Sequence, residues 1–305
     1  MMAMARRIAA LVLVFLGAVL VVHTLVYVIP GDPAIVIAGE YADARDIERI
    51  RQELRLDDPF LVRYAVYVKR LMQLDLGNSI YSGAPVADII LQRFPATLML
   101  ALVSMAIATL VGVAAGMGAA YYRDSIFDRA ALWLSSLCVS TPIFVTCFIL
   151  SLVFSYWLRL LPPSGKEGLD PSYLILPALA LASRSIALIL RVVRNELIGV
   201  LRQHYIRTAR AFGFSELRVV AAFAFRNIIT PVAVIVLLDF GAYLGGAVVT
   251  ESVFAWPGVG RALVTALAKR DIPVMQGIIL FGTVLFLAIG VVIDLLQRAT
   301  MRGKS

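Results

Sequence analysis

The chain has 305 residues, 61% of them hydrophobic and only 16% charged, with a mean hydropathy of +0.88. Soluble globular domains run at roughly 45–50% apolar and about 25% charged residues, so the composition excludes that class. A net charge of +8 suits nucleic acid only on a solvated basic face, and here the excess sits in short connections between apolar blocks.

A bilayer core about 30 Å thick is crossed by about 20 apolar helical residues. Six runs reach that length: 8–29, 98–120, 131–158, 173–193, 228–249 and 274–296. The first follows Arg6 and Arg7 and is longer than the apolar stretch of a signal peptide, with no small-residue cleavage site after it, so it reads as a retained helix. His23 lies within it and reads as a packed residue rather than a ligand.

The segment 30–97 is too long and too patterned for a plain linker. Asp43 is a plausible cap, Ile47, Ile50 and Leu54 share one helical face, Pro59 interrupts, and an amphipathic pattern resumes at Phe60. A small helical segment outside the membrane is expected there.

In the second run Gly112 and Gly116 form a G-x-x-x-G, which lets helix backbones approach, and Gly245 and Gly246 are placed in the fifth. Pro142 in the third predicts a kink at most. Cys138 and Cys147 share that run, and nine residues of helix separate them by roughly 13 Å, too far for a disulfide.

Orientation follows from basic residues in the short loops. With both ends in the cytoplasm, fourteen Lys and Arg fall on the inner side and five in the short outer loops. The long outer segment carries eight basic and ten acidic residues and is exempt from the rule by its length. The expectation is an all-α membrane protein with six transmembrane helices, N-in and C-in. It divides into 1–29, 30–97 and a core 98–305 with a cytoplasmic loop 194–227.

Catalytic and metal motifs are absent from the sequence. The terminal Gly303-Lys304-Ser305 lacks the earlier glycine of a phosphate-binding loop, since residue 298 is Arg. If the chain moves a solute against a gradient, the energy comes from elsewhere.

The most informative stretch is the loop between the fourth and fifth runs. Residues 203–212 read as a short helix with small Ala209 and Ala211 and with Arg207 and Arg210, closed by Gly213 as a left-handed cap. Such a helix suits docking into a groove on another protein, and the bland alternative is a solvated basic loop. Two charges lie deep in the runs, Arg184 in the fourth and Asp239 in the fifth. Each costs about 2.5–3.5 kcal/mol at the bilayer centre, so each faces protein or water. They pair with one another, line a pathway, or meet a partner chain.

Tyr205-Ile-Arg-Thr-Ala-Arg-Ala-Phe-Gly-Phe-Ser215, followed by Phe225-Arg-Asn-Ile-Ile-Thr-Pro231, resembles the coupling loop of ABC importer permeases of the dipeptide/oligopeptide branch. The resemblance extends through Val28-Ile-Pro-Gly-Asp-Pro33, Arg51-Gln-Glu-Leu-Arg-Leu-Asp-Asp-Pro59, Asp75-Leu-Gly-Asn-Ser79, Arg93-Phe-Pro-Ala-Thr97 and Leu160-Leu-Pro-Pro-Ser-Gly165. It ends with Gly245 through Arg261 and Arg270-Asp-Ile-Pro-Val-Met-Gln-Gly277. Arg207 stands where the wider importer pattern has an acidic residue and Thr208 where it has Ala; the peptide branch resembles this sequence at both places.

That resemblance implies a coupling helix made by His204, Tyr205, Arg207, Thr208, Ala209, Arg210, Ala211, Gly213, Phe214 and Ser215. It further implies a second homologous permease, two ATPase subunits or one fused tandem ATPase carrying ATP and Mg, and an extracytoplasmic substrate-binding protein. The chain itself would hold no cofactor or metal and catalyse nothing, in a bacterial inner membrane. The cargo class is peptides or related small solutes, with glutathione, nickel complexes and oligosaccharides as alternatives. Two other classes are disfavoured. A secondary transporter predicts inverted repeats with broken helices, and a membrane enzyme predicts clustered acid, base or metal groups.

Overall fold

A computed structural model describes residues 12–24, 34, 43–53, 57–165 and 170–302. Parts of the expected first run, the Val28–Pro33 motif and the C-terminal tripeptide lie outside these residues. Among the described residues the chain is helical throughout, apart from one isolated bridge between Asn78 and Pro85.

Four helices are long and apolar enough to cross a membrane: α4 (Val86–Tyr121), α7 (Ser172–Leu201), α9 (Glu216–Leu244) and α12 (Ile272–Arg302). Ahead of them lie α1 (Val12–Thr24), α2 (Ala44–Glu53) and α3 (Phe60–Met72), and between them α5 (Ile126–Ser140), α6 (Ile143–Leu150), α8 (His204–Ala211), α10 (Val248–Val253) and α11 (Val259–Ala268). The 36 residues of α4 extend roughly 54 Å at about 1.5 Å each, well beyond a bilayer core. The helix begins far upstream of the apolar run because amphipathic turns continue it through Pro95.

The central contact is α4 against α7, and the two glycines of the G-x-x-x-G make it. A Cβ on Gly112 would stand 2.9 Å from Ile189 Cβ, and one on Gly116 would stand 2.7 Å from the Leu190 carbonyl and 2.8 Å from Val193 Cβ. As α4 ascends from 112 to 116, α7 ascends with it, so the two helices run parallel. Their shared core, with Leu100, Ala108, Ile189 and Val193, continues into Ile206 of α8 and Ile228 of α9. α5 is tied to α7 by charge: Arg194 Nε and Nη2 donate to the two oxygens of buried Asp128 at 2.5 and 2.7 Å, and Arg191 donates to Ser135 and Ser136.

Two sequence expectations need correction. The third run is no single helix with a kink, because α5 and α6 meet at 108°. Thr141 is extended (φ −81°, ψ 123°), the conformation that the following Pro142 favours, and Thr141 Oγ1 donates to the Leu137 carbonyl at the end of α5. The last turns after Leu150 widen into a π-helix, Ser151–Trp157. Cys138 and Cys147 therefore lie on different arms of a bend as free thiols, rather than on one straight helix. Gly245 and Gly246 do not sit within the fifth helix; they end it. Gly246 has φ +114°, which L side chains rarely adopt, and its Cβ would stand 3.2 Å from Gly260 Cα.

The helices expected in the segment 30–97 are present as α2 and α3. α3 lies against α1 and α12 through Tyr64, Tyr67 and Leu71 beside Val19, Val22 and Leu280. His23 packs there, stacked on Tyr67 at 5.6 Å, and burial pushes the Tyr67 hydroxyl pKa up.

Candidate functional site

Because α4 and α7 run parallel, the loop after α7 lies at the end of the bundle opposite the start of α4. α8 begins after an extended Gln203 and stops at Gly213 (φ +81°). Gly213 N donates to the Arg210 carbonyl at 2.9 Å and Phe214 N to the Ala209 carbonyl at 3.4 Å, the paired bonds of a Schellman cap. The left-handed cap expected at Gly213 is thus the one observed, over nearly the expected range.

Its faces differ from the sequence expectation in one respect. Ala209 is not offered outward: together with Ile206 it is buried, and both join the core with Val219, Val220 and Ala224. Residues 206 and 209 are one helical turn apart, so they share the inward stripe. Ala211 is exposed, as are His204, Tyr205, Arg207, Thr208, Gly213, Phe214 and Ser215. Arg210 is held within the loop, Nε and Nη2 donating to Glu216 at 2.7 and 3.1 Å. Arg218 sits over the Phe214 ring at 5.1 Å. Asn227 Nδ2 donates to the Tyr205 hydroxyl at 2.8 Å, and burial pushes the pKa of that hydroxyl up. What projects is Phe212 at 79% exposure and Leu217 at 78%, flanked by the exposed arginines. Sequence reasoning passed over these two residues. The signal was an aromatic beside the capping glycine, where a helix end leaves a side chain no neighbour to cover it.

Partway along α7 and α9, Arg184 is exposed at the surface of the chain and Asp239 is half-buried. Among the described residues no ion pair joins them, so the paired reading is not the arrangement found. Asp239 is instead tethered to α7: Ser185 Oγ donates to its Oδ2 at 2.5 Å. The Tyr243 hydroxyl lies 2.5 Å from Ser185 Oγ and donates to the Leu181 carbonyl at 2.8 Å.

The far end of the bundle holds a polar knot to which the sequence reading gave no role. Glu251 in α10 is fully buried. Its Oε1 accepts from Thr97 Oγ1 at 2.7 Å and its Oε2 from the Arg261 N–H at 3.0 Å, while the Gly260 N–H also bonds the carboxylate. Thr97 Oγ1 in turn accepts from the Val259 N–H at 2.8 Å, and Trp256 Nε1 donates to the Ala96 carbonyl at 2.9 Å. The carboxylate thus serves the free N–H groups that open α11. Burial raises the Glu251 pKa, and these hydrogen bonds oppose the shift. The glycines around it are required by space, since a Cβ on Gly258 would lie 2.3 Å from the Glu251 carboxyl carbon. The seventeen residues of motif from Gly245 to Arg261 thus form one interlocked turn.

Long apolar helices, one sharply bent pair and a short capped helix with an exposed aromatic at its end, all among the described residues, define a polytopic membrane protein. Comparison with known proteins agrees. Residues 109–304 match the family described as binding-protein-dependent transport system inner membrane component, and residues 1–101 match its N-terminal companion family. A Brucella abortus (strain 2308) chain whose name assigns it to a peptide transport system as permease is 41% identical over 297 residues, covering 95% of each chain. The glutathione transport system permease protein GsiC of Escherichia coli O6:H1 is 42% identical, covering 91% of this chain and 90% of GsiC. Among solved structures, an inward-facing MetNI methionine ABC transporter chain aligns with a TM-score of 0.58 at 17% identity, over 69% of this chain and 95% of that one, a likeness of fold. The chain belongs to the binding-protein-dependent transport family and is a multi-pass inner-membrane permease component of an ABC importer.

Proposed function

We propose that this chain forms one half of a translocation pathway for peptides or closely related small solutes, driven by ATP hydrolysed with Mg on separate subunits. The observation that carries the reading is α8. It is a helix closed by a Schellman cap whose inner face is sealed by Ile206 and Ala209, and beside its end Phe212, Leu217 and arginines stand exposed with no cover among the described residues. A buried aromatic anchor among polar neighbours is what a docking helix supplies to a groove. In this reading His204 to Ser215 face the cytoplasm, both termini lie inside, and six helices cross the membrane, the α5–α6 pair counting as one. A second, homologous permease completes the pathway above two ATPase subunits or a tandem one, and an extracytoplasmic binding protein delivers the cargo.

Asp239 and Arg184 then line the pathway or meet the second permease. Tethering by Ser185 engages one oxygen of Asp239, leaving the other open to a cationic group. The peptide and glutathione systems of the relatives support a peptide-like cargo, glutathione itself being a tripeptide.

The test is Phe212→Ala in the assembled complex. ATP-driven uptake into proteoliposomes should fall about tenfold, the scale of losing one aromatic hot spot. Binding-protein-stimulated ATPase should fall with it. Uptake equal to the unsubstituted complex would reject α8 as the coupling element.

A further inference from the structure

At the end of the bundle opposite α8, residues 79–82, the first turns of α4, the outer face of α11 and the start of α12 enclose a cleft of about 400 Å³. That size falls within the roughly 300–1,000 Å³ of small-molecule sites. Its charge is one-sided. Arg93, Arg261 and Lys269 line it, and the one carboxylate among the lining residues is Asp271. Asp271 is buried and committed to the wall: one oxygen accepts from Ser79 Oγ at 2.5 Å and the other from the Ile80 N–H at 3.2 Å.

Among the described residues none of the three cations has an ion-pair partner. Two are nonetheless held in place. Arg261 Nη1 donates to the Ala255 carbonyl at 2.6 Å, and Lys269 Nζ lies 3.7 Å from the centre of the Tyr81 ring. Arg93 is exposed and makes no hydrogen bond to any described residue. Ile89, Ala262 and Val274 give the same cleft an apolar side. Two fixed cations, a free guanidinium and an apolar wall suit a ligand with a charged head and a carbon body. Guanidinium groups favour planar, two-oxygen anions.

We propose that this cleft binds the free carboxylate of a small peptide-like solute, a site separate from the Arg184–Asp239 region and on the face away from the ATPases. The choice of a carboxylate-bearing solute rests on the function proposed above. The cleft, its cations and the commitment of Asp271 do not.

The complex co-purified with its partner subunits tests this without ATP or binding protein, the readout being acylation of Lys269 followed by mass spectrometry. Trialanine at roughly ten times its Kd should slow acylation of Lys269 about tenfold, by simple occupancy. Trialanine amide should not protect. Arg93→Gln should abolish the difference and Arg93→Lys should restore part of it; should Arg93→Gln fail to assemble, the acid–amide comparison on the unsubstituted complex decides. Equal protection by acid and amide, or none by either, overturns the proposal. So does protection by the binding protein alone, which marks a protein-docking surface. Protection that follows phosphatidylglycerol content and ignores trialanine marks a lipid site and overturns it as well. Acid-specific protection in a complex that fails to import peptides would sink the proposed function and leave the cleft standing.

Discussion

The α8 loop and the Glu251 knot sit at opposite ends of one bundle, and both hold a short helix against longer ones with hydrogen bonds. They differ in where their strongest groups point. In the knot the charged and aromatic groups turn inward: Glu251 and Trp256 are almost without exposure, and each finds its partners within the chain. In the α8 loop Ile206 and Ala209 turn inward, and Phe212, Leu217 and Arg207 turn out. A buried, satisfied carboxylate holds a fold together, whereas a rigid helix with uncovered aromatics is half of an interface. Motifs of similar specificity in the sequence therefore have different physical causes.

The sharpest way to break this contrast is Glu251→Ala. It strips Thr97 and the first N–H groups of α11 of a buried acceptor, so about 3 kcal/mol of stability should go, within the range for breaking a buried network. Thermal unfolding of the detergent-solubilised complex measures it, and a loss below about 1 kcal/mol would mean the knot is not structural. Gly116→Leu comes next. Its added atoms meet the Leu190 carbonyl, which is backbone and yields little, so overpacking should cost about 2–3 kcal/mol in the same measurement.

Gly213→Trp should cost less, about 1–2 kcal/mol, because the strain comes only from φ +81° and the space around the added Cβ is open. Insertion should survive while ATP hydrolysis uncouples from uptake, so normal uptake by a normally assembled variant would argue against the coupling role. Phe212→Ala should have the smallest effect on the fold, within about 0.5 kcal/mol, because its side chain covers nothing in this chain. Its predicted loss of uptake combined with unchanged unfolding would sharpen the comparison. A large stability loss would place Phe212 with the core and remove its role at an interface.

Much of the site was legible before any coordinates. Gly213 announced a cap because a left-handed helix end favours glycine, and the stretch 203–212 that it closes read as a short helix. The Gly112–Gly116 spacing announced a close helix contact, since no other residue lets backbones approach so nearly. The misjudged elements share one cause. Ala209 and Ala211 are alike in sequence, and only the packing of α8 on α9 separates an inward alanine from an outward one. Pro142 is compatible with either a kink or a break, and the choice fell to how α5 and α6 pack against α7. Arg184 and Asp239 are opposite charges in neighbouring long helices, yet Asp239 is tethered by Ser185 rather than paired with Arg184.

The sequence by itself determined that this chain is a helical membrane protein of its family, because apolar run length and local glycine and proline chemistry act over a few residues at a time. Only the tertiary structure decided which polar groups are consumed inside the fold and which remain for a partner. Satisfaction of a buried carboxylate such as Glu251 depends on Thr97, 154 residues away in the chain. No local pattern encodes such a distance; it is set by which helices share a core.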